Sequence, residues 1–216
     1  MRARHHAVLG TGAVGRTIAA RLVELGHEVR LGTRDPDATR AREGWSDVPD
    51  VDLVTLAEAT DGADLVVHAG NGAAALDLLT LAGDLSGRVL VDISNPLDFS
   101  SGFPPTLSVK DTDSLGEQIQ RAFPDTFVVK TLNTLTAELM VHPDRLPEPT
   151  SVFVSGDDAP AKERVTAFLT EMGHRDVIDL GGIETSRGVE MWLPLWLRLM
   201  GSLGTAEFNL KVVRGA

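Results

Sequence analysis

Three glycines in the run Gly10-Thr11-Gly12-Ala13-Val14-Gly15 have the spacing that lets a main chain wrap a diphosphate. The first permits a tight turn, the second brings backbone against the phosphates, and the third lets a helix pack closely on the preceding strand. N–H groups at the start of that helix then face the anion, with the helix dipole behind them. About twenty residues further on, a carboxylate would bind the hydroxyls of an adenosine ribose, and the chain instead reads Gly32-Thr33-Arg34. A hydroxyl and a guanidinium suit a 2′-phosphate through charge-assisted hydrogen bonds, so the pattern points to NADP rather than NAD. Arg40 and Arg42 add positive potential just beyond. Asp35 is the competing ribose ligand, and its place before Pro36 reads better as a helix cap.

Three later segments end apolar strands and belong at the same sheet edge, where ligands of parallel sheets bind. His68-Ala69-Gly70-Asn71 leaves room beside a nicotinamide ribose. His68 titrates near neutrality when unperturbed, yet a lone histidine in an apolar strand reads first as a packed, hydrogen-bonded residue. Asp92-Ile93-Ser94-Asn95-Pro96 shapes the crevice through its turn, and Lys130-Thr131-Leu132-Asn133-Thr134-Leu135 brings Asn133 and Leu135 toward the nicotinamide. No residue stands out as a catalytic acid or base, and no metal-ligand pattern is present. His5-His6 has no third ligand candidate beside it.

These residues need a scaffold of alternating strands and helices, and the chain supplies one. Ala7-Val8-Leu9 precedes a helix over 13–25, whose Val14, Ile18, Leu22 and Leu25 recur at helical spacing before Gly26. Strands follow over 28–31, 51–56, 64–69, 88–93 and 127–130, with helices over 38–44, 73–81 and 114–122. Two more strands, 151–155 and 176–180, flank a helix capped by Asp157 or Asp158, and 183–213 reads as helical with a break at Pro194. Near-continuous apolar strands in βαβ order call for an α/β fold of Rossmann type, a doubly wound parallel sheet covered on both faces. The expected division is a Rossmann domain over 1–181 and a small C-terminal helical extension over 182–216.

Composition narrows the chemistry further. The 216 residues carry 31 acidic against 20 basic side chains, a net charge of −11, with no basic run to meet nucleic acid or an anionic membrane. The absence of Cys excludes disulfides, thiolate nucleophiles and Cys-ligated metals, and the absence of Tyr excludes a phenolic proton donor. Met1-Arg2-Ala3-Arg4 shows no leader pattern, and the most apolar stretch, Trp192 to Leu203, is shorter than the ~20 residues a bilayer requires, so a cytoplasmic protein is expected. That stretch carries more apolar surface than one core-facing stripe buries, which suggests a homodimer. A β-hydroxyacid dehydrogenase would share the Thr-Arg pair but needs a helical domain longer than the about 35 residues after Gly181. Its usual lysine has no evident counterpart among Lys110, Lys130, Lys162 and Lys211.

Taken together, the segments Thr11 to Gly15, Leu25 to Arg34, Val91 to Leu97, Lys130 to Leu135, Val154 to Asp158 and Gly204 to Lys211 resemble the coenzyme F420-dependent NADP reductase family. The chain is similar also to the cytosolic NADPH-oxidising domain of six-transmembrane metalloreductases. The resemblance implies NADP held by Gly10 to Gly15 and by Thr33 and Arg34. It implies hydride transfer to a small-molecule redox acceptor, F420 or a flavin such as FMN, with the C-terminal part forming a dimer contact and the acceptor site. Archaeal members carry His where this chain has Asn133, and differ from it over 67–72. The alternative is an NADP-binding sensor or partner-binding module without turnover.

Overall fold

The structure, a computed structural model, describes residues 4–215; Met1 to Ala3, part of the segment read for a leader, and Ala216 lie outside them. Ten strands and eight helices are formed by the described residues. The strands are β1 (His5–Leu9), β2 (Glu28–Thr33), β3 (Val51–Thr55), β4 (Leu65–His68), β5 (Val89–Asp92), β6 (Leu97–Asp98), β7 (Thr106–Leu107), β8 (Phe127–Lys130), β9 (Ser151–Ser155) and β10 (Asp176–Gly181). The helices are α1 (Ala13–Glu24), α2 (Pro36–Arg40), α3 (Leu56–Thr60), α4 (Ala75–Leu81), α5 (Leu115–Ala122), α6 (Ala137–Val141), α7 (Ala159–Glu171) and α8 (Ser186–Leu203).

Eight strands make one sheet in the order β10-β9-β8-β5-β4-β1-β2-β3, a doubly wound arrangement that reverses between β1 and β4. Alternation along each strand explains why helices cover both faces. Val8, Val67, Val91 and Val129 join Ile18, Leu22, Leu139, Val165 and Phe168 from α1, α6 and α7 on one face. Ala7, Leu9, Val66, Leu90 and Val128 join Leu56, Leu79 and Ile119 from α3, α4 and α5 on the other. Each central strand thus contributes apolar side chains to two cores, which is why its sequence reads as an unbroken apolar run.

Three expectations change, and one hairpin is added to them. The sheet is not parallel throughout: β9 runs antiparallel to β8, touching it through Lys130 and Ser155, because the intervening chain packs α6 on α1 and does not cross over the sheet. The hairpin of β6 and β7 was unmarked, since two-residue strands carry no periodicity. The helix expected over 38–44 lies at Pro36–Arg40, started by the Asp35 cap and the proline behind it. Finally, α8 passes through Pro194 unbroken and ends at Gly204, whose φ of +67° turns the chain out of the helix. Pro194 forfeits one backbone hydrogen bond, but the preceding turn is clamped by buried Val189, Glu190 and Leu193. Residues 205–213 are not helical; the tail returns to β9, where Ser151 N–H donates to the Leu210 carbonyl at 2.9 Å. No described helix is long and apolar enough to cross a membrane.

Candidate functional site

The turn between β1 and α1 is built from backbone packed against backbone. Gly10 has φ +123°, and a Cβ there would lie 2.7 Å from the Ala69 carbonyl oxygen. A Cβ on Gly15 would lie 1.9 Å from the Gly10 carbonyl oxygen, so the third glycine is a packing requirement of the turn itself. Gly12 differs, since a Cβ there would meet nothing within 4 Å, and the space beside it is open. Gly12 caps α1 with no side-chain hydrogen bond and no acid lies in the first turn, which leaves the first helical N–H groups for an anion.

β2 brings Thr33 and Arg34 to the same edge. Thr33 Oγ1 is 2.8 Å from Thr39 Oγ1, and Asp35 Oδ1 accepts from Ala38 N–H at 2.9 Å, so the carboxylate of Asp35 is spent on capping α2. Arg34 is exposed and, among the described residues, forms no ion pair. Arg42 donates from Nη2 to Thr11 Oγ1 at 2.7 Å, which puts its guanidinium over the glycine-rich turn. Arg40 turns away, donating to the Leu53 carbonyl at 3.2 Å. Between these groups and α4 lies a cleft of about 520 Å³ that has Leu56, Leu78 and Leu81 on its apolar side. That size and mixture suit an adenosine with its phosphates.

Of the residues singled out from sequence, Gly10, Thr11, Gly12, Thr33, Arg34, Ala69, Gly70 and Asn71 line this cleft. Ala13 and Val14 stand on the first turn of α1, and Gly15 packs beneath it. His68, Asn133 and Leu135 lie behind the cleft in buried positions. Asn71 caps the short 3-10 turn before α4, accepting from Ala73 N–H at 3.0 Å. Asn133 spends both amide hydrogens, donating to Asn95 Oδ1 and to the Val189 carbonyl at 3.0 Å each. Its amide therefore ties the loop after β8 to α8. Leu135 joins the core that also receives Val14.

A second charged group was not anticipated. His68 Nδ1 is 2.9 Å from Asp92 Oδ1, which also accepts from the amide and hydroxyl of Ser94. Lys130 Nζ donates to Asp92 Oδ2 at 2.8 Å, to the Ser94 carbonyl at 2.7 Å and to Glu190 Oε1 at 2.9 Å. Glu190 in turn accepts the Leu115 and Gly116 N–H groups at the start of α5. Burial works to discharge Lys130, but the carboxylates of Asp92 and Glu190 outweigh it and hold the ammonium above the ordinary lysine value. Burial likewise works to protonate Asp92, and Lys130 and then His68 outweigh it, keeping the carboxyl below the usual range. The ammonium of Lys130 has no exposure and all three of its hydrogens are used, so it is a structural cation that joins β5, β8 and α8. The available signal was a charged residue in each of three apolar stretches.

The profile of the family described as NADP oxidoreductase coenzyme F420-dependent matches residues 6–96, the segment that holds the glycine-rich turn, Thr33 and Arg34. Among curated proteins, the chain is 29% identical over 194 residues to metalloreductase STEAP3 of Rattus norvegicus, over 88% of this chain and 37% of that protein. It thus spans little more than a third of that metalloreductase's length. It is 27% identical over 200 residues to the F420-dependent NADP reductase of Methanothermobacter marburgensis, covering 88% of this chain and 89% of that one. Among solved structures, a candidate F420-dependent NADP reductase from Arthrobacter sp. FB24 is 57% identical, with a TM-score of 0.95 over 98% of this chain and all of that one. The chain belongs to the coenzyme F420-dependent NADP oxidoreductase family.

Proposed function

We propose that this chain is an NADP(H)-dependent oxidoreductase whose acceptor is a deazaflavin such as F420 or a flavin-type ring. The observation that carries the cofactor half is the uncapped start of α1 beside two guanidiniums, Arg34 and Arg42, that meet no carboxylate among the described residues. An open cradle at Gly12 and unpaired cations fit a 2′-phosphorylated dinucleotide. In this reading Gly10 to Gly15 hold the diphosphate and Thr33 and Arg34 hold the 2′-phosphate; Ala69 to Asn71, expected beside the nicotinamide ribose, line the same cleft as Arg34 and border the adenosine and its ribose. NADPH, when bound, supplies hydride from its nicotinamide ring.

The chain's own work is then to bind, orient and exclude water. Positioning two planar rings face to face is a large part of lowering such a barrier, so the reading requires no catalytic acid or base. The acceptor half rests on the placement of α8 beside the ends of β5 and β8, with Asn133 fixing that contact. The exposed Met191, Leu195 and Leu203 of α8 are assigned to a second copy of the chain, a proposal that sedimentation checks.

Steady-state oxidation of NADPH in the presence of F420, FMN or a ferric chelate tests the whole reading. Turnover with a deazaflavin or flavin supports it. Tight NADPH binding with no turnover on any of them contradicts it and favours a sensor.

A further inference from the structure

We propose that Trp45 is a positioning residue that holds Arg42 across the mouth of the cleft, making Arg42 a second cation, beside Arg34, for the 2′-phosphate of the dinucleotide; this rests on the functional reading above. Trp45 lies in the irregular chain between α2 and β3, and two guanidiniums lie over its ring. The central carbons of Arg16 and Arg42 are each 5.5 Å from the ring centroid. The ring is itself anchored, because it packs on the core and its Nε1 donates to Asp47 Oδ1 at 3.1 Å. Arg42 is fixed at its far end by the 2.7 Å hydrogen bond from Nη2 to Thr11 Oγ1.

This arrangement has a cost that calls for a ligand. Arg34 and Arg42 line one cleft beside the glycine-rich turn and Arg16 follows that turn on α1, and none of the three pairs with a carboxylate among the described residues, in a chain whose net charge is −11. Arg16 Nε is moreover buried without a hydrogen-bond partner. Like charges that share a cleft repel one another, and a phosphate group between Arg34 and Arg42 offsets that repulsion. The indole holds the guanidiniums in place through cation–π attraction. Thr11 Oγ1, a neutral acceptor within the turn, occupies the guanidinium's inner edge, and a phosphate oxygen exchanges for it with a charge-assisted bond. Trp45 therefore acts through Arg42 and touches no part of the dinucleotide.

Calorimetric titration of NADPH and NADH into the wild type, Trp45→Ala, Trp45→Phe, Arg42→Gln and the Trp45→Ala/Arg42→Gln pair tests the proposal, with melting temperatures measured alongside. Trp45→Ala is expected to weaken NADPH about tenfold and NADH much less, with most of the loss restored in Trp45→Phe. In the Arg42→Gln background Trp45→Ala should cost nothing further, a non-additivity that a merely structural tryptophan would not give. Additive losses, or an unchanged NADPH-to-NADH ratio in Trp45→Ala, overturn the proposal. Should Trp45→Ala fail to fold, Arg42→Gln alone decides: an unchanged NADPH affinity overturns it. A wild type that does not prefer NADPH sinks the underlying functional reading instead, so the two failures are distinguishable.

Discussion

Arg34 and Asp92 both stand at the carboxyl edge of the same sheet, yet Arg34 is exposed and meets no carboxylate among the described residues, whereas Asp92 is wholly buried and accepts four hydrogen bonds. Around Arg34 the polar groups are left over: an uncapped helix start, a free guanidinium, and a second guanidinium held only by the Thr11 hydroxyl and the Thr39 carbonyl. Around Asp92 the charges are paired: Lys130 bridges Asp92 and Glu190, and Asp92 also holds His68 Nδ1 and Ser94, while His68 Nε2 is left without a hydrogen-bond partner. A region that keeps its charges unsatisfied is prepared for a ligand, and one that exhausts them internally is prepared to hold elements together. The contrast separates two sets of charged residues that share one edge of the sheet.

The strongest way to break the contrast is to remove the cation from the saturated side. Lys130→Met leaves Asp92 and Glu190 buried without their shared partner and should destabilise the fold by about 3–5 kcal/mol in denaturant unfolding. A loss under about 1 kcal/mol would show that the cluster does not hold α8. The raised value of Lys130 also sets a sign: its contribution is present in full below the ordinary lysine value near ~10.4 and is lost as pH rises through the raised folded value. Asp92 contributes above the ordinary aspartate value near ~3.9, and that part is lost as pH falls. In Lys130→Met the alkaline loss should vanish.

His6 sharpens the comparison, because it is a buried titratable group with neither ligand nor partner. Its ring stands edge-on to His27 at 4.7 Å, neither ring nitrogen has a hydrogen-bond partner, and burial first, then His27, lowers its pKa to about 4. The unfolded chain therefore takes up the proton first as pH falls below the ordinary histidine value near ~6.5, and stability declines from there down to about pH 4. Thermodynamic unfolding at pH 7 and pH 5 should differ by about 2 kcal/mol from this group, a difference that His6→Phe should remove. Equal pH dependence in the two proteins would show that His6 is not held neutral.

Asn133 stands between the two regions, and its replacement should have the smallest effect on folding. Asn133→Leu frees the Val189 carbonyl and should cost about 1 kcal/mol of stability. Turnover with F420 or flavin should fall, since α8 loses its tie to the loop after β8, while NADPH affinity stays within about twofold. A large loss of NADPH affinity would place Asn133 in the cofactor site itself.

Legibility followed the same divide. The glycine-rich turn and the Asp35 cap were readable because local backbone geometry dictates residue type at fixed spacing, and no distant partner is involved. The sheet was readable because strands buried on both faces must be apolar throughout. The Lys130 cluster joins residues 38 and 60 positions apart along the chain, a pairing that spacing does not encode. Lys130 therefore read only as one of four lysines without an evident task. The continuity of α8 through Pro194 escaped for a related reason: the packing of Glu190 and Leu193, not local propensity, decides it.

The central claim is that the unsatisfied cations at the end of β2 read a 2′-phosphate. Calorimetric titration of NADPH and NADH into the wild type and into Arg34→Ala tests it most directly. The account predicts that the wild type prefers NADPH and that Arg34→Ala removes about 1.5–3 kcal/mol from NADPH binding while leaving NADH nearly unchanged. Equal affinities in the wild type, or equal losses for the two dinucleotides in the variant, would contradict it.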